Sequence, residues 1–479
     1  MKAKILLSVM MSTVLLLAPI AFAQRAGQDH DALARFQNAL KRDGFDVTPG
    51  AAEIFNPAAD YCAEKPGVTS ALYNNRAPYL HLLVPKLAQT QETQQLVESF
   101  QLRPDEAVVL IGPTPPSVKY FGYYAFLSTR FLYTKEFPDG KRTELLGNLG
   151  DTVNNATVKT LGSTPFDRTV ALIFTPDKGT DARIREALLR AGYPEAIMNT
   201  LVFPASMLNL GHTATADELL IAMRIGPSDH QAAVDSYVQD AQETLKVFRV
   251  TPRTEAVADP FKVPRLRVRG TGRTEMDRMN KMDKLRQGII EANPGLSFTD
   301  ITKLLSKPNF YEGNDYIQRY HVAFGNSRDV LWLSAGYLPE FEANDVITLA
   351  DGEFLMVYGP NHVATGKAAY MNFSVYASEE GQVSIGQVSD DHLSGTARFF
   401  LPTDPDADLM YAYKISRSCG VGESNCLTLS IDNCERVTID QNTKLGLIFR
   451  MYLESATRVG PPYAEILYDR VIKFSPPLP

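Results

Sequence analysis

One pattern occurs twice in this sequence, as VVLIGPTPPSVKYFGYYAFL at Val108–Leu127 and as FLMVYGPNHVATGKAAYMNFSVY at Phe354–Tyr376. Each stretch has an apolar run, a Gly-Pro turn, a polar loop and a second run of alternating large residues. Runs rich in Val, Phe and Tyr are typical of β-strands, and here both faces of the strand can be buried. The repetition of this strand–turn–strand unit indicates an internal duplication.

Three more pairs of similar segments follow in the same order. They are Gly147–Asp151 with Gly386–Asp390, Thr169–Asp177 with Thr396–Asp404, and Leu219–Ile225 with Gly446–Tyr452. The matched order supports a duplication, because chance similarities would occur in any order. Turn residues separate the strands, so each copy is predicted to form an antiparallel β-sandwich or a jelly-roll-like domain.

Helical patterns precede and separate the two β regions. The predicted helices cover Asp31–Arg42, Asp181–Arg190, Gln231–Phe248, Glu275–Ala292 and Thr299–Leu305. Pro252–Thr274 is rich in proline, glycine and charge and marks a domain boundary. The predicted fold class is α+β, with a signal peptide at 1–23, a helical or irregular lead at 24–100, a first β-rich domain at 101–250, a linker with helices at 251–345 and a second β-rich domain at 346–479.

The N-terminal residues have the composition of an export signal. Lys2 and Lys4 precede the apolar run Ile5–Ile20, and Ala21–Ala23 sets small residues where signal peptidase cleaves. We therefore expect a mature protein that begins at Gln24 and lies in the periplasm or outside the cell. A transmembrane segment needs about twenty apolar residues, and the sequence predicts none after cleavage.

Charge and cysteine content restrict the partners and the compartment. The net charge of -7 over 479 residues disfavours nucleic-acid binding, which needs basic surfaces. An even number of cysteines in an oxidising compartment predicts two disulfides, with three pairings open. Three of the cysteines lie close together, so we expect one local bridge and one that links the N-terminal region to the C-terminal domain. The cysteines are Cys62, Cys419, Cys426 and Cys434.

The densest aromatic cluster lies in the first repeated stretch. Tyr120, Tyr123 and Tyr124 are the candidate ligand-binding residues, because exposed rings could hold a small molecule or a cell-surface polymer. The alternative is core packing of a strand with two buried faces.

Alternating aspartates provide the candidate metal site. Asp404, Asp406 and Asp408 have the spacing by which calcium loops supply their first ligands. Leu409 stands where an EF-hand needs glycine, so only a looser structural calcium loop is predicted. The alternative is a solvated acidic turn, and no other cofactor is expected.

Two groups of residues are candidates for the catalytic residues of a hydrolase. Ser334 lies in a sequence similar to a nucleophile elbow, but Trp332 replaces the first glycine of that motif. Ser206, His212 and His230 could form a serine–histidine–carboxylate set if the fold brought them together. The alternative interpretations are a core strand and surface loops.

Two arginines occupy matched places in apolar runs. Because an unpaired buried charge is costly, Arg224 is expected to pair with Asp151, and Arg450 with Asp390.

The second copy also resembles a known class of proteins. Gly359–Tyr376 runs from a Gly-Pro turn into an aromatic strand that ends in tyrosine, and Leu445–Tyr452 carries an arginine. This pattern is similar to that of bacterial exported proteins of unknown function built from two related β-sandwich domains. The tryptophan usual in the aromatic strand of that class is absent from both copies. The resemblance implies a fold and no established activity.

The sequence thus favours an exported binding or interaction protein with a ligand site between two related β domains, where pockets commonly lie. The alternative is a secreted hydrolase whose catalytic set is assembled from distant loops. A structural component of the cell envelope is the third hypothesis.

Overall fold

The computed structural model describes residues 31–65, 73–74, 77–86, 95–301, 313–319, 322–338, 343–379, 381–431 and 434–477. These residues form several antiparallel and mixed β-sheets with a few helices, which makes the protein a β-rich α+β fold. Within these ranges, no helix has the length and apolar character needed to cross a membrane. The predicted signal peptide lies outside the described residues.

The first half of the structure covers residues 31–252. Its strands are β1 (Phe45–Pro49), β2 (Ala51–Phe55), β3 (Tyr79–Pro85), β4 (Leu96–Val97), β5 (Ala107–Pro113), β6 (Phe121–Leu132), β7 (Lys141–Asn148), β8 (Val153–Asn154), β9 (Thr169–Thr175), β10 (Met198–Val202), β11 (Glu218–Ile225) and β12 (Lys246–Pro252). Its helices are α1 (31–42), α2 (Pro57–Cys62), α3 (Lys178–Ala191), α4 (Gln231–Gln239) and α5 (Ala241–Thr244).

The second half covers residues 275–477. Its helices are α6 (Met279–Glu291), α7 (Gly313–Arg319) and α8 (Asp390–Leu393). Its strands are β13 (Ser297–Ile301), β14 (Val330–Leu338), β15 (Ala343–Asn344), β16 (Phe354–Pro360), β17 (Tyr370–Ala377), β18 (Val383–Ser389), β19 (Met410–Ser416), β20 (Cys426–Thr428), β21 (Leu445–Tyr452) and β22 (Arg470–Ser475).

Each half contributes two sheets. Sheet 1 has the order β1-β12-β5-β9-β10, and sheet 2 has the order β2-β3-β11-β6-β7 with β4 and β8 at its margins. Sheet 3 has the order β13-β22-β16-β19-β20, and sheet 4 has the order β15-β14-β21-β17-β18. In sheets 1 and 3 the first strand pairs with the last strand of its half, and both sheets end in a parallel pair.

Alternation along the strands builds the cores. In β6, Phe121, Tyr123 and Leu127 join an apolar cluster with residues of sheet 1, whereas Tyr124 and Phe126 point to the opposite face. This follows from the period of two in a strand, which sends successive side chains to opposite sides. In β21 too, successive side chains point to opposite faces, and those on one face pack in an apolar cluster with side chains of sheet 3.

Helices cover the outer faces of sheets 1 and 3. Phe36 and Leu40 of α1 pack with α3 on sheet 1, and Leu285 and Ile289 of α6 pack on sheet 3. Helix α3 has a well-defined start, because the side chain of its N-cap residue, Asp177, accepts a hydrogen bond from the backbone N–H of Thr180 at 2.7 Å.

Three sequence predictions of local structure are wrong. Ser297–Ile301 is a strand where a helix was expected to begin, and residues 302–305 of that helix lie outside the described residues. Residues 246–248 belong to β12 because β-branched and aromatic side chains favour strand there. Thr396–Phe399 forms a 3₁₀ turn where a strand was expected, and β19 pairs with β16 as β9 pairs with β5.

The expected secondary structure of the lead and the linker also differs. The lead at 24–100 contains β1 to β4, and the linker at 251–345 contains β13, β14 and β15. These strands pair with the two β-rich regions and extend their sheets, so the pairing partners decided their structure rather than local pattern.

Two disulfides connect the four cysteines. Cys62 bonds to Cys434 across 372 residues of sequence, and Cys419 bonds to Cys426 across only 7. The first bridge joins the end of α2 to the second half, where Tyr61 also packs in the core. The second closes a local loop before β20.

We predict that removing the long-range bridge destabilises the protein more than removing the local one. Loop-closure entropy in the unfolded chain gives roughly 6 kcal/mol for the Cys62–Cys434 loop and about 2.5 kcal/mol for the Cys419–Cys426 loop. Denaturant unfolding of the paired Cys→Ser variants measures both losses. Equal losses, or a larger loss for the local loop, would contradict the prediction.

A buried ionic cluster lies in the second half. His362 Nδ1 is 2.9 Å from Glu275 Oε2, and its Nε2 is 3.4 Å from Asp469 Oδ2, with all three side chains excluded from solvent. Burial opposes protonation of the imidazole, but the charges of the two carboxylates outweigh it and raise the pKa of His362 to about 10.

We predict that His362→Gln lowers the free energy of unfolding by about 3–5 kcal/mol at pH 6, because it leaves two buried carboxylates without their cation. The folded pKa lies above the ordinary value of about 6.5, so the stabilisation is complete below about pH 6.5 and is lost as the pH rises through about 10. The difference between wild type and variant should therefore shrink towards pH 10 in denaturant titrations. His392→Gln, at a half-exposed histidine, is the control, and a pH-independent difference would refute the prediction.

Candidate functional site

Sheets 2 and 4 face each other, and their contact is the central interface of the molecule. Its apolar cluster contains side chains from both halves, among them Tyr120, Tyr124, Phe126, Leu220, Trp332, Tyr370, Tyr376 and Tyr452. Asn74 links the halves through polar contacts. Its Nδ2 donates to Tyr452 Oη at 3.2 Å, and its Oδ1 accepts from Asn372 Nδ2 at 2.9 Å.

Among the described residues, neither of the two matched arginines has a carboxylate partner at this interface. Arg224 is 5% exposed, and its Nη1 donates to Tyr452 Oη at 3.1 Å. Its Nε has no hydrogen-bond partner within the described part of the chain. Arg450 donates to Ser374 Oγ at 3.2 Å and to Tyr376 Oη at 2.8 Å.

The predicted ion pairs of these arginines are wrong. Asp151 accepts from Arg328 Nε at 2.7 Å, and Asp390 pairs with Lys119 Nζ at 2.6 Å. Both carboxylates stand at matched places in the sequence, but each meets a cation that is remote in sequence. Arg224 and Arg450 instead lie against aromatic rings, with Arg224 Cζ 4.5 Å from the centre of the Tyr79 ring.

A cavity of about 350 Å³ extends along the sheet 2 side of the central interface. We call it the interface cavity. Its aromatic wall consists of Phe55, Tyr73, Tyr79, Tyr124, Phe126 and Phe324. Its polar lining includes His81, Glu98, Ser128, Thr129, Glu144 and Arg224. Side chains from β2, β3, β6, β7 and β11 meet there because alternate residues of each strand point to the same face.

Two carboxylates line the cavity together with one histidine. His81 Nδ1 is 2.8 Å from Glu98 Oε2, and the imidazole stacks on Phe55 with ring centres 4.2 Å apart. The hydrogen bond with His81 lowers the pKa of Glu98. Partial desolvation of the Glu144 carboxyl group, with a smaller effect from the charge of Glu98, raises the pKa of Glu144. The two carboxyl groups therefore differ in how readily they hold a proton.

The three candidate tyrosines have different positions. Tyr124 lines the interface cavity, whereas Tyr123 packs in the core between sheets 1 and 2. Tyr120 lies in the central interface and donates to Asp329 Oδ2 at 2.8 Å. Each is almost fully buried. Their role in binding stays a prediction, and only Tyr124 has direct access to the cavity.

The candidate calcium ligands face cations. Lys281 Nζ lies 2.8 Å from both Asp404 Oδ1 and Asp406 Oδ2, and Arg398 Nε donates to Asp408 Oδ1 at 2.6 Å. A calcium ion would have to displace these side chains. Among the described residues, the one group of three side chains with its ligand atoms close enough to hold a metal ion is Cys419, Glu423 and Cys426, and it does not include the aspartates. Its sulfurs form a disulfide and cannot act as thiolate ligands.

The candidate hydrolase residues occupy separate elements. Ser334 is buried within β14, and Ser206 lies in a 3₁₀ turn at Ala205–Met207. His212 Nε2 is 3.0 Å from Glu106 Oε2, in a buried network with Arg249. His230 precedes α4 as its N-cap residue. These placements position no nucleophile beside a histidine.

His81, Glu98 and Glu144 are the site residues that the sequence analysis missed. His81 interrupts the apolar run of β3, and that polar residue in YLHLLVP is a usable signal. Glu98 and Glu144 carry no motif, because their proximity depends on the pairing of β4 with β3 and of β7 with β6.

No protein-family model matches the sequence, and no curated protein matches it. The structure is similar to that of an uncharacterized protein from Burkholderia cenocepacia, at a TM-score of 0.37 and 10% identity over 93% of this chain and 88% of that chain. It is also similar to the VPA0106 protein from Vibrio parahaemolyticus, at a TM-score of 0.38 and 10% identity over 88% and 97% of the two chains. The likeness is to bacterial proteins of unknown function, and at these TM-scores it carries no argument about activity.

We predict that His81→Gln raises the pKa of Glu98 towards the ordinary value of about 4.3, because it weakens the charge-assisted hydrogen bond. Selective ¹³C labelling of glutamate, with the Glu98 signal assigned from Glu98→Gln, gives the titration curve by NMR. Phe55→Leu removes the ring stacking and keeps the hydrogen bond, so it serves as the control. An unchanged Glu98 titration in His81→Gln would contradict the prediction.

Proposed function

We propose that this protein is an exported binding protein that holds a small organic anion in the interface cavity. The observation that carries the proposal is the buried guanidinium of Arg224, which lines the cavity and has no carboxylate partner within the described residues. Buried charges are normally paired, because removing an ion from water costs several kcal/mol.

An anionic ligand would complete the coordination of Arg224. The Nε and Nη atoms of a guanidinium form a planar fork that matches a carboxylate, sulfonate or phosphate group. Tyr452 Oη occupies one N–H of Arg224, and Nε is left without a partner in the described structure. A bidentate anion on the cavity side would supply both a charge and the missing acceptor.

The remainder of the cavity restricts the size and character of the ligand. Its volume of about 350 Å³ is near the lower end for small-molecule pockets. The rings of Tyr79 and Tyr124 flank the guanidinium, and Phe126 continues the aromatic wall. This lining suits an apolar body of about one aromatic ring with the anion at its inner end.

The proposed fold and compartment accord with this function. We propose that the chain arose by duplication of a helix-plus-β-sandwich unit, since sheets 1 and 3 share an order of pairing and each is covered by a helix. Two disulfides are compatible with export. A ligand site between related domains is a common arrangement.

We predict that wild-type protein binds 4-methylbenzoate and does not measurably bind the neutral 4-methylbenzamide. Arg224→Met should weaken binding of the anion about 10- to 100-fold, because charge-assisted hydrogen bonds contribute about 1.5–3 kcal/mol. Isothermal titration calorimetry measures the affinities. Arg450→Met is the matched control, since it removes an arginine of similar burial that does not line the cavity. Equal affinity for the acid and the amide would sink the proposal.

A secreted hydrolase is the second candidate. Glu98 and Glu144 line one cavity and have pKa values displaced in opposite directions, as in acid–base pairs of enzymes. Ester, glycoside and peptide substrates test this alternative. Turnover by wild type that Glu144→Gln abolishes would support it, and inactivity on all three classes would exclude it in favour of binding.

A further inference from the structure

The interface cavity has opposite charges in different places, and we infer that its ligand is a zwitterion with its anionic and cationic groups at opposite ends of an apolar body. This inference rests on the proposed binding function and names the class of ligand.

The cationic part of the cavity is its buried end. Arg224 is 5% exposed and is flanked by tyrosine rings, so a ligand anion there would be shielded from water. Electrostatic attraction is stronger in such an environment than in bulk solvent. The Nε of Arg224 has no hydrogen-bond partner among the described residues, and it is the polar atom that this anion would satisfy.

The anionic part lies nearer to solvent. Glu98 and Glu144 both line the cavity and are exposed residues, and the Glu98 side chain is 52% accessible. His81, whose side chain is only 10% accessible, contacts Glu98 from the buried side. Two carboxylates that face one opening repel each other, and a ligand ammonium group would relieve this repulsion.

The register of β3 and β11 indicates how far apart the charged groups of the ligand should be. Tyr79 lies opposite Arg224, and His81 lies opposite Ala222, which precedes Arg224 by two residues in β11. Two residues correspond to about 7 Å along a strand. Glu98 contacts His81, so the two charged groups of the ligand should be separated by about the length of one substituted ring.

The body between the charges should be flat and apolar. Phe55 stacks on His81, and Tyr124 stacks on Phe126 with ring centres 5.6 Å apart. These rings line the part of the cavity between Arg224 and the carboxylates. A polar ligand body would lose its hydration there without gaining hydrogen bonds to the protein.

The test compares three probes by isothermal titration calorimetry: 4-(aminomethyl)benzoate, 4-methylbenzoate and benzylamine. Wild type should bind the zwitterion about five- to tenfold more tightly than the anion, and benzylamine most weakly. In the double variant Glu98→Gln/Glu144→Gln, the ratio of the affinities for 4-(aminomethyl)benzoate and 4-methylbenzoate should fall below about twofold. Glu218→Gln, which removes a carboxylate on β11 outside the cavity lining, is the control for unspecific charge effects.

The outcomes distinguish failure of the zwitterion inference from failure of the anion-binding proposal. Equal affinity of wild type for 4-(aminomethyl)benzoate and 4-methylbenzoate overturns the zwitterion and leaves anion binding in place. The same holds if Glu218→Gln reduces the ratio of these two affinities as much as the double variant does. Failure of both acids to bind, or tighter binding of benzylamine than of either acid, overturns anion binding and the zwitterion together.

Discussion

Sheets 2 and 4 are buried on both faces, and this double burial constrains the rest of the molecule. One face of each sheet packs in the core of its own half, and the other packs in the central interface. A polar side chain on the second face is shielded from water, so it needs a hydrogen-bond partner on its own sheet or from the other half. The relative position of the two halves is therefore coupled to a small set of hydrogen bonds.

Asp329 and Asn74 make hydrogen bonds that connect the two halves. Asp329 accepts from Tyr120 Oη at 2.8 Å and from Asn154 Nδ2 at 3.0 Å, so the second half contacts the first through a buried carboxylate. Burial raises the pKa of Asp329 to about 6 although these hydrogen bonds oppose the shift. Asn74 makes the corresponding contacts to Tyr452 and Asn372. Satisfied contacts of this kind specify one docking geometry, whereas apolar packing alone would permit several.

The environment of Arg224 differs from that of the other buried cations. Among the described residues, three other buried cations have carboxylate partners: Arg249 lies 2.8 Å from Glu106, Arg328 lies 2.7 Å from Asp151, and Lys367 lies 2.9 Å from Glu454. Within the described part of the chain, Arg450 has no carboxylate partner but donates to two hydroxyl groups. Arg224 has one hydroxyl partner in the same part of the chain, and it also lines a cavity. That combination distinguishes a site that can receive a ligand from a charge that serves the fold.

The sequence by itself determined the features that depend on local pattern. Period-two alternation in Phe121–Leu127 predicted a strand with two buried faces, because neighbouring side chains of a strand always point to opposite sides. The cysteine content predicted two disulfides and left their pairing open. The tertiary structure decided the partners of charged groups, since Asp151 and Arg328 are 177 residues apart and no local pattern relates them. It also decided the site: Glu98 contacts His81 beside Arg224 only because β3 pairs with both β4 and β11.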